Sequence, residues 1–190
     1  MVSTMRCSKN IAERVLALVA GALLAGCGAI AQQTPGTLAV RDARVDVAGD
    51  AATLDLGLDC RLSGPMQDAL DHGIPITLRV DLRAGSWAHA NAAVKRIELR
   101  YFPLSRRYQL HDLDVAEVRS YATPGYLVAA LGSLRLGLPK AFASLPPSTP
   151  LQVSARIDPS ALPGALRLPA LFEPAWRLAS ADFAWTPAAR

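Results

Sequence analysis

Residues 53–62 read Thr53-Leu54-Asp55-Leu56-Gly57-Leu58-Asp59-Cys60-Arg61-Leu62, an unbroken alternation of apolar residues with polar or small ones. Successive side chains of a β-strand point to opposite faces. This stretch therefore reads as a strand with Leu54, Leu56, Leu58, Cys60 and Leu62 on a dry face and Asp55, Asp59 and Arg61 on a wet one. Two further windows repeat the pattern. Ile74, Ile76, Leu78, Val80 and Leu82 alternate with Pro75, Thr77, Arg79, Asp81 and Arg83, and Leu151, Val153, Ala155 and Ile157 alternate with Gln152, Ser154, Arg156 and Asp158. One wet face per strand favours antiparallel sheet over the doubly buried strands of a parallel α/β fold.

Outward from these windows, weaker strand patterns cover 38–47, turning at Gly49-Asp50, and 93–102, 107–113, 117–121 and 176–185. In the last of these Trp176 and Leu178 share one parity and Phe183 and Trp185 the other, which predicts a bulge near Ser180. Pro75 predicts an edge, or at least an unpaired N–H, where its strand begins. Pro65 and Gly73 bracket a short helix with Met66, Ala69 and Leu70 inside. A second helix follows Thr123-Pro124 and runs to near Gly137 with Leu127, Ala130, Leu131 and Leu134 at helical spacing. The Pro-rich stretches 138–150 and 159–174 read as irregular connections. Together these patterns predict a mainly β fold, an antiparallel β-sandwich, immunoglobulin-like in shape, of about eight strands with two short helices in a single domain over 38–187.

The N-terminus has a different character. After a basic start comes the apolar run Val15–Ala25, VLALVAGALLA, well short of the roughly 20 residues that span a bilayer. Residues 1–26 read as a signal peptide. The run ends in Leu24-Ala25-Gly26-Cys27, which resembles a bacterial lipobox, so that Cys27 becomes the acylated first residue and 27–37 a tether. Ala29-Ile30-Ala31 offers a second cleavage site, which would release a soluble periplasmic protein starting at Gln32. Gly28, standing where an Asp would retain an enteric lipoprotein in the inner membrane, points to the periplasmic side of the outer membrane.

With the leader gone, Arg6, Lys9, Arg14 and Glu13 go too. Of 20 basic and 16 acidic side chains 17 and 15 remain, a net charge of +2. That is no footprint for nucleic acid. Cys60 is the one cysteine left in the body, so no disulfide forms within the domain and the hydrophobic core alone must stabilise it.

The sequence holds no HExxH, no paired CxxC, no GxSxG and no phosphate-cradling glycine loop, and it predicts neither enzyme nor cofactor. His72, His89 and His111 could in principle meet Asp112 or Asp114 at a metal, but their spacing gives no support, and no metal site is expected. Cys60 reads as a structural thiol. The most suggestive feature is the basic segment Lys95, Arg96, Arg100, Arg106, Arg107. Arg96, Glu98 and Arg100 share a strand face, and Arg106-Arg107 open the returning strand beyond a Pro103-Leu104-Ser105 turn. Such a hairpin can engage an acidic partner or lipid phosphates through bidentate guanidinium contacts, or it can be a solvated face paired to Glu98, Asp112 and Asp114.

At this hairpin and beyond it, Arg96-x-x-x-Arg100-Tyr101-x-x-Leu104-Ser105-x-x-Tyr108 is followed by Ser120-Tyr121, Ala130-Leu131-Gly132, Arg156-x-Asp158, Leu162-Pro163, Leu166-Arg167, Trp176-x-Leu178-x-Ser180 and Trp185. In order and spacing this resembles the domain-of-unknown-function family 4390, exported proteins of proteobacteria, over residues 38–187. The chain departs from that pattern at Gly85-Ser86-Trp87-Ala88-His89, where relatives carry an Arg/Trp-rich stretch. The resemblance implies no activity or catalytic residue. By gene association it implies a protein partner in the envelope, a membrane sensor kinase of the nitrogen-regulation type. The expectation is therefore a non-enzymatic, lipid-anchored envelope module that binds a protein partner in signalling or envelope assembly, with Arg96, Arg100, Arg106 and Arg107 as its contact surface. The alternative is a carrier or sensor of an apolar envelope ligand held between the sheets or under the Leu127–Leu136 helix.

Overall fold

A computed structural model describes residues 35–85, 91–146 and 148–187, which belong to one compact unit, Thr34–Arg190. The signal peptide, Cys27 and most of the tether lie outside the described residues, as do Trp87 and His89.

The alternating windows are strands. β1 (Thr37–Ala48) and β2 (Ala51–Arg61) form a hairpin whose two-residue turn holds Gly49 at φ 59, the left-handed conformation tight hairpins require. β3 (Ile76–Ala84), β4 (Asn91–Phe102), β5 (Arg107–Asp112) and β6 (Glu117–Tyr121) run up and down in sequence order. β7 (Leu134–Leu138) joins the first hairpin to make a three-stranded sheet, β1-β2-β7, while β8 (Leu151–Ile157) and β9 (Phe183–Trp185) extend the second to six, β6-β5-β4-β3-β8-β9. All pairings are antiparallel.

The two sheets face each other through apolar sides. Leu54, Leu56, Leu58, Leu134 and Leu136 come from the small sheet. Ile76, Leu78, Val80, Leu82, Ile97, Leu99, Leu110 and Val153 come from the large one, and all are buried in one continuous core. Helix α1 (Gly64–Asp71) supplies Met66, Ala69 and Leu70 to that core, with Pro65 in its first turn. Helix α2 (Pro124–Ala130) starts at Thr123, whose Oγ1 accepts the Tyr126 N–H at 3.3 Å; the helix lies against β2, β5 and β6, and its Leu127 is fully buried.

Four details differ from the sequence expectation. The second helix stops at Ala130, passes through a 3₁₀ turn at Leu131–Ser133 and becomes strand β7. Leu134, Leu136 and Leu138 fit a period of two as well as Leu127, Leu131 and Leu134 fit 3.6, and Gly132 marks the change. Residues 159–174 hold a third helix, α3 (Gly164–Phe172), behind a 3₁₀ turn at Pro159–Ala161, which the four prolines of that stretch conceal. β3 is central rather than an edge, because Pro75 precedes its first paired residue. The last strand is paired at Phe183–Trp185 and through one bridge, Ala179 to Arg156. Between that bridge and the Phe183–Val153 pair the last strand has one residue more than β8, so the bulge expected near Ser180 is there, with the Ser180 hydroxyl accepting the Ala155 N–H at 2.9 Å.

Candidate functional site

The outward residues of β4, β3 and β8 are Arg96, Glu98 and Arg100; Arg79, Asp81 and Arg83; and Gln152, Ser154 and Arg156. The register sets Arg79 opposite Arg96 on one side and opposite Arg156 on the other. Three guanidinium side chains thus form a row across three adjacent strands, about 4.8 Å from strand to strand. Like charges directly opposite in a sheet destabilise it. The folded domain carries that cost with a limited set of carboxylates.

Asp81 bears most of it. Arg79 grips this carboxylate with Nε at 2.9 Å and Nη2 at 2.8 Å, and Arg156 approaches it at 3.5 Å. Burial raises the Asp158 carboxyl, but bonds from the Ser160 hydroxyl and N–H, followed by the charges of Arg79 and Arg96, hold it below the usual carboxylate range. Arg100 Nε lies 3.0 Å from Glu98 Oε1, yet it is buried and its N–H makes no hydrogen bond. The rest of the guanidinium stacks near Phe102, 5.6 Å from the ring centroid. Between β3 and β8 a polar cleft of about 250 Å³ is lined by Arg79, Asp81, Arg83, Arg156 and Asp182.

The expected hairpin cluster is divided by this geometry. Arg96 belongs to the transverse row. Arg100 and Arg107 lie toward the turn, where Arg107 Nε and Nη2 are each 3.4 Å from Ser120, at its hydroxyl and its carbonyl. Arg106 occupies the turn itself at φ 52, its N–H bonded to Pro103 O at 3.3 Å. Lys95 has the inward parity of Ala93 and Ile97 and is paired with Asp114 at 3.3 Å. Of the three carboxylates expected to neutralise the basic segment, Glu98 reaches Arg100, Asp114 reaches Lys95, and Asp112 is buried on the inner side, accepting the Asp114 N–H.

Sequence reasoning missed Arg79, Arg83 and Arg156. Their outward parity was readable, but the order β4-β3-β8 that lines them up was not.

The remaining titratable residues have structural surroundings. His72 Nδ1 is 2.6 Å from Asp68 O at the end of α1. His111 and Asp112 point to opposite faces of β5. Among the described residues no three of His, Cys, Asp and Glu are grouped to hold a metal, and no helix is long and apolar enough to cross a membrane. Burial pushes the Cys60 thiol up to about 11, so little of it is thiolate at neutral pH. Leu127, Leu131 and Leu134 pack into the core beneath α2.

A family model described as a domain of unknown function, DUF4390, matches residues 36–186. Neither the curated proteins nor the solved structures show a match to the chain.

Proposed function

The chain belongs to the DUF4390 family, and from that premise we propose that it is a non-enzymatic envelope lipoprotein whose arginine face docks an acidic segment of a protein partner. Cys27 carries the acyl anchor on the periplasmic side of the outer membrane, and the partner is a membrane signalling or envelope-assembly protein. The reading is carried by one observation, the transverse row Arg96, Arg79 and Arg156. A face that needed only to be wet would not place three like charges opposite one another. An acidic segment relieves the repulsion, and planar guanidinium groups fit carboxylates two bonds at a time. Arg100 and Arg107 extend the same face toward the β4–β5 turn.

The test is a photo-crosslinking residue placed at Ser154, on the outward face of β8 two residues from Arg156, in cells that express the whole chain. One dominant protein adduct is expected, falling about tenfold or more when Arg96→Glu and Arg156→Glu are combined, since each lost charge-assisted contact is worth roughly 1.5–3 kcal/mol. Arg44→Glu, on β1, should leave it unchanged. An adduct indifferent to the double reversal would refute the docking face.

A further inference from the structure

Helix α3 turns apolar side chains away from the core. Leu168, Leu171 and Phe172 stand at i, i+3 and i+4 and so share one face, and they are 66%, 50% and 76% exposed. The opposite side supplies Ala170, which is buried, and Leu166, which is half-buried. Contiguous exposed apolar surface of this kind marks a contact with something else. Two cations flank it. Arg167 Nε donates to Leu162 O at 2.7 Å and Arg177 donates to Leu171 O, and both side chains remain exposed. Glu173 is the one carboxylate between Gly164 and Leu178.

What covers this face is indicated by where the chain enters the fold. Gly36 is pressed against the segment that follows α3: a Cβ there would stand 2.8 Å from Leu178 Cδ1 and 2.9 Å from Arg61 O. The turn Pro174–Trp176 that links Phe172 to Leu178 packs against α3. Cys27 precedes Gly36 by nine residues, which reach at most about 32 Å when fully extended. An acyl anchor on Cys27 therefore keeps this end of the domain, and α3 with it, close to the bilayer.

We infer that α3 is an interfacial helix. Leu168, Leu171 and Phe172 enter the lipid at headgroup depth, Arg167 and Arg177 meet lipid phosphates, and the domain rests on the membrane that holds its N-terminus. This rests on the lipoprotein reading above. Such contact adds nothing needed for attachment, which the acyl chains on Cys27 supply, but it fixes the orientation of the domain on the membrane.

The experiment uses mature protein isolated from envelopes and reconstituted into vesicles of phosphatidylethanolamine with phosphatidylglycerol. In a Cys60→Ser background, an environment-sensitive dye is placed at Phe172→Cys or, as the distal control, at Asp50→Cys, in the turn at the far end of β1, a strand about 35 Å long. The expected result is a blue shift and loss of most emission to a lipid-borne quencher at position 172, with neither at position 50. If position 172 stays aqueous on vesicles that the acylated protein occupies, the helix inference is overturned and the lipoprotein reading stands. Shielding at position 172 that depends on protein concentration and not on the lipid quencher also overturns it, in favour of a second copy. An intact mass that begins at Gln32 without acyl chains overturns both. Because Phe172 is mostly exposed, its replacement should leave the thermal melt unchanged, which confirms that the labelled protein is folded.

Discussion

Tyr108 links α1 to the large sheet: its hydroxyl donates to Asp71 Oδ1 at 2.8 Å, and its ring stacks at 4.7 Å on Tyr101. Burial, followed by the bond to Asp71 and its negative charge, pushes its pKa up to about 12. A phenol whose folded pKa is raised contributes stability that is complete below the unfolded value near 10 and lost as pH rises through 12. Tyr108→Phe should cost about 0.5–1.5 kcal/mol at pH 7 and remove part of the alkaline fall in stability, as read by urea melts from pH 8 to 11.5. Ala116, in the β5–β6 turn at φ 56, is a second local strain. Ala116→Gly should raise stability by up to about 1 kcal/mol because glycine takes that conformation freely, and an unchanged or lower melting temperature would contradict it.

Single elements were legible where one period dominated and obscure where two competed. The apolar residues of β2, β3 and β8 alternate without interruption, and those strands lie where the pattern puts them. Leu127 to Leu138 satisfies both a helix and a strand, and only the open site beside β2 decides that its second half pairs with Ala52–Leu56. The prolines of 159–174 obscured α3 because proline is tolerated in a first helical turn but is a poor signal elsewhere. The strand assignment of β7 has a direct check. A Cβ at Gly137 would meet nothing within 4 Å, so Gly137→Val should be neutral or stabilising by up to about 1 kcal/mol in a strand. Leu136→Ala beside it, fully buried, should cost about 2–5 kcal/mol. Denaturant melts of the two variants measure both.

For the molecule as a whole, the arginine row depends on which strands are neighbours, and no local pattern carries that. The β3–β4 pairing sets Arg79 opposite Arg96, but Arg156 joins them only because β8, more than 65 residues after β3 in the chain, pairs with β3. The charge reversal proposed above tests binding alone, whereas a neutral change separates binding from stability. Arg96→Thr should stabilise the free domain by about 0.2–1 kcal/mol by removing one like-charge opposition, while weakening partner capture. A melting temperature that rises as binding falls would identify the row as a functional strain. A fall in both would make it structural.

The first strand carries a mechanical consequence. The folded domain begins at the end of β1 that is farthest from its turn, with Thr37 paired to Arg61 and Ala48 to Ala51. Tension applied at the N-terminus therefore runs along β1, in shear, and loads the rungs of the β1–β2 ladder together rather than opening them one by one. At the bulge between Val40 and Asp42, Arg41 reaches Gly132 O at 2.8 Å and Asp59 at 3.3 Å, fastening the loaded strand to its neighbour and to the turn before β7. In single-molecule pulling from the N-terminus, Arg41→Ala should lower the rupture force of the domain while its thermal melt moves little. The first strand of the fold would then be its force-bearing part, and Arg41 the catch that keeps it from slipping.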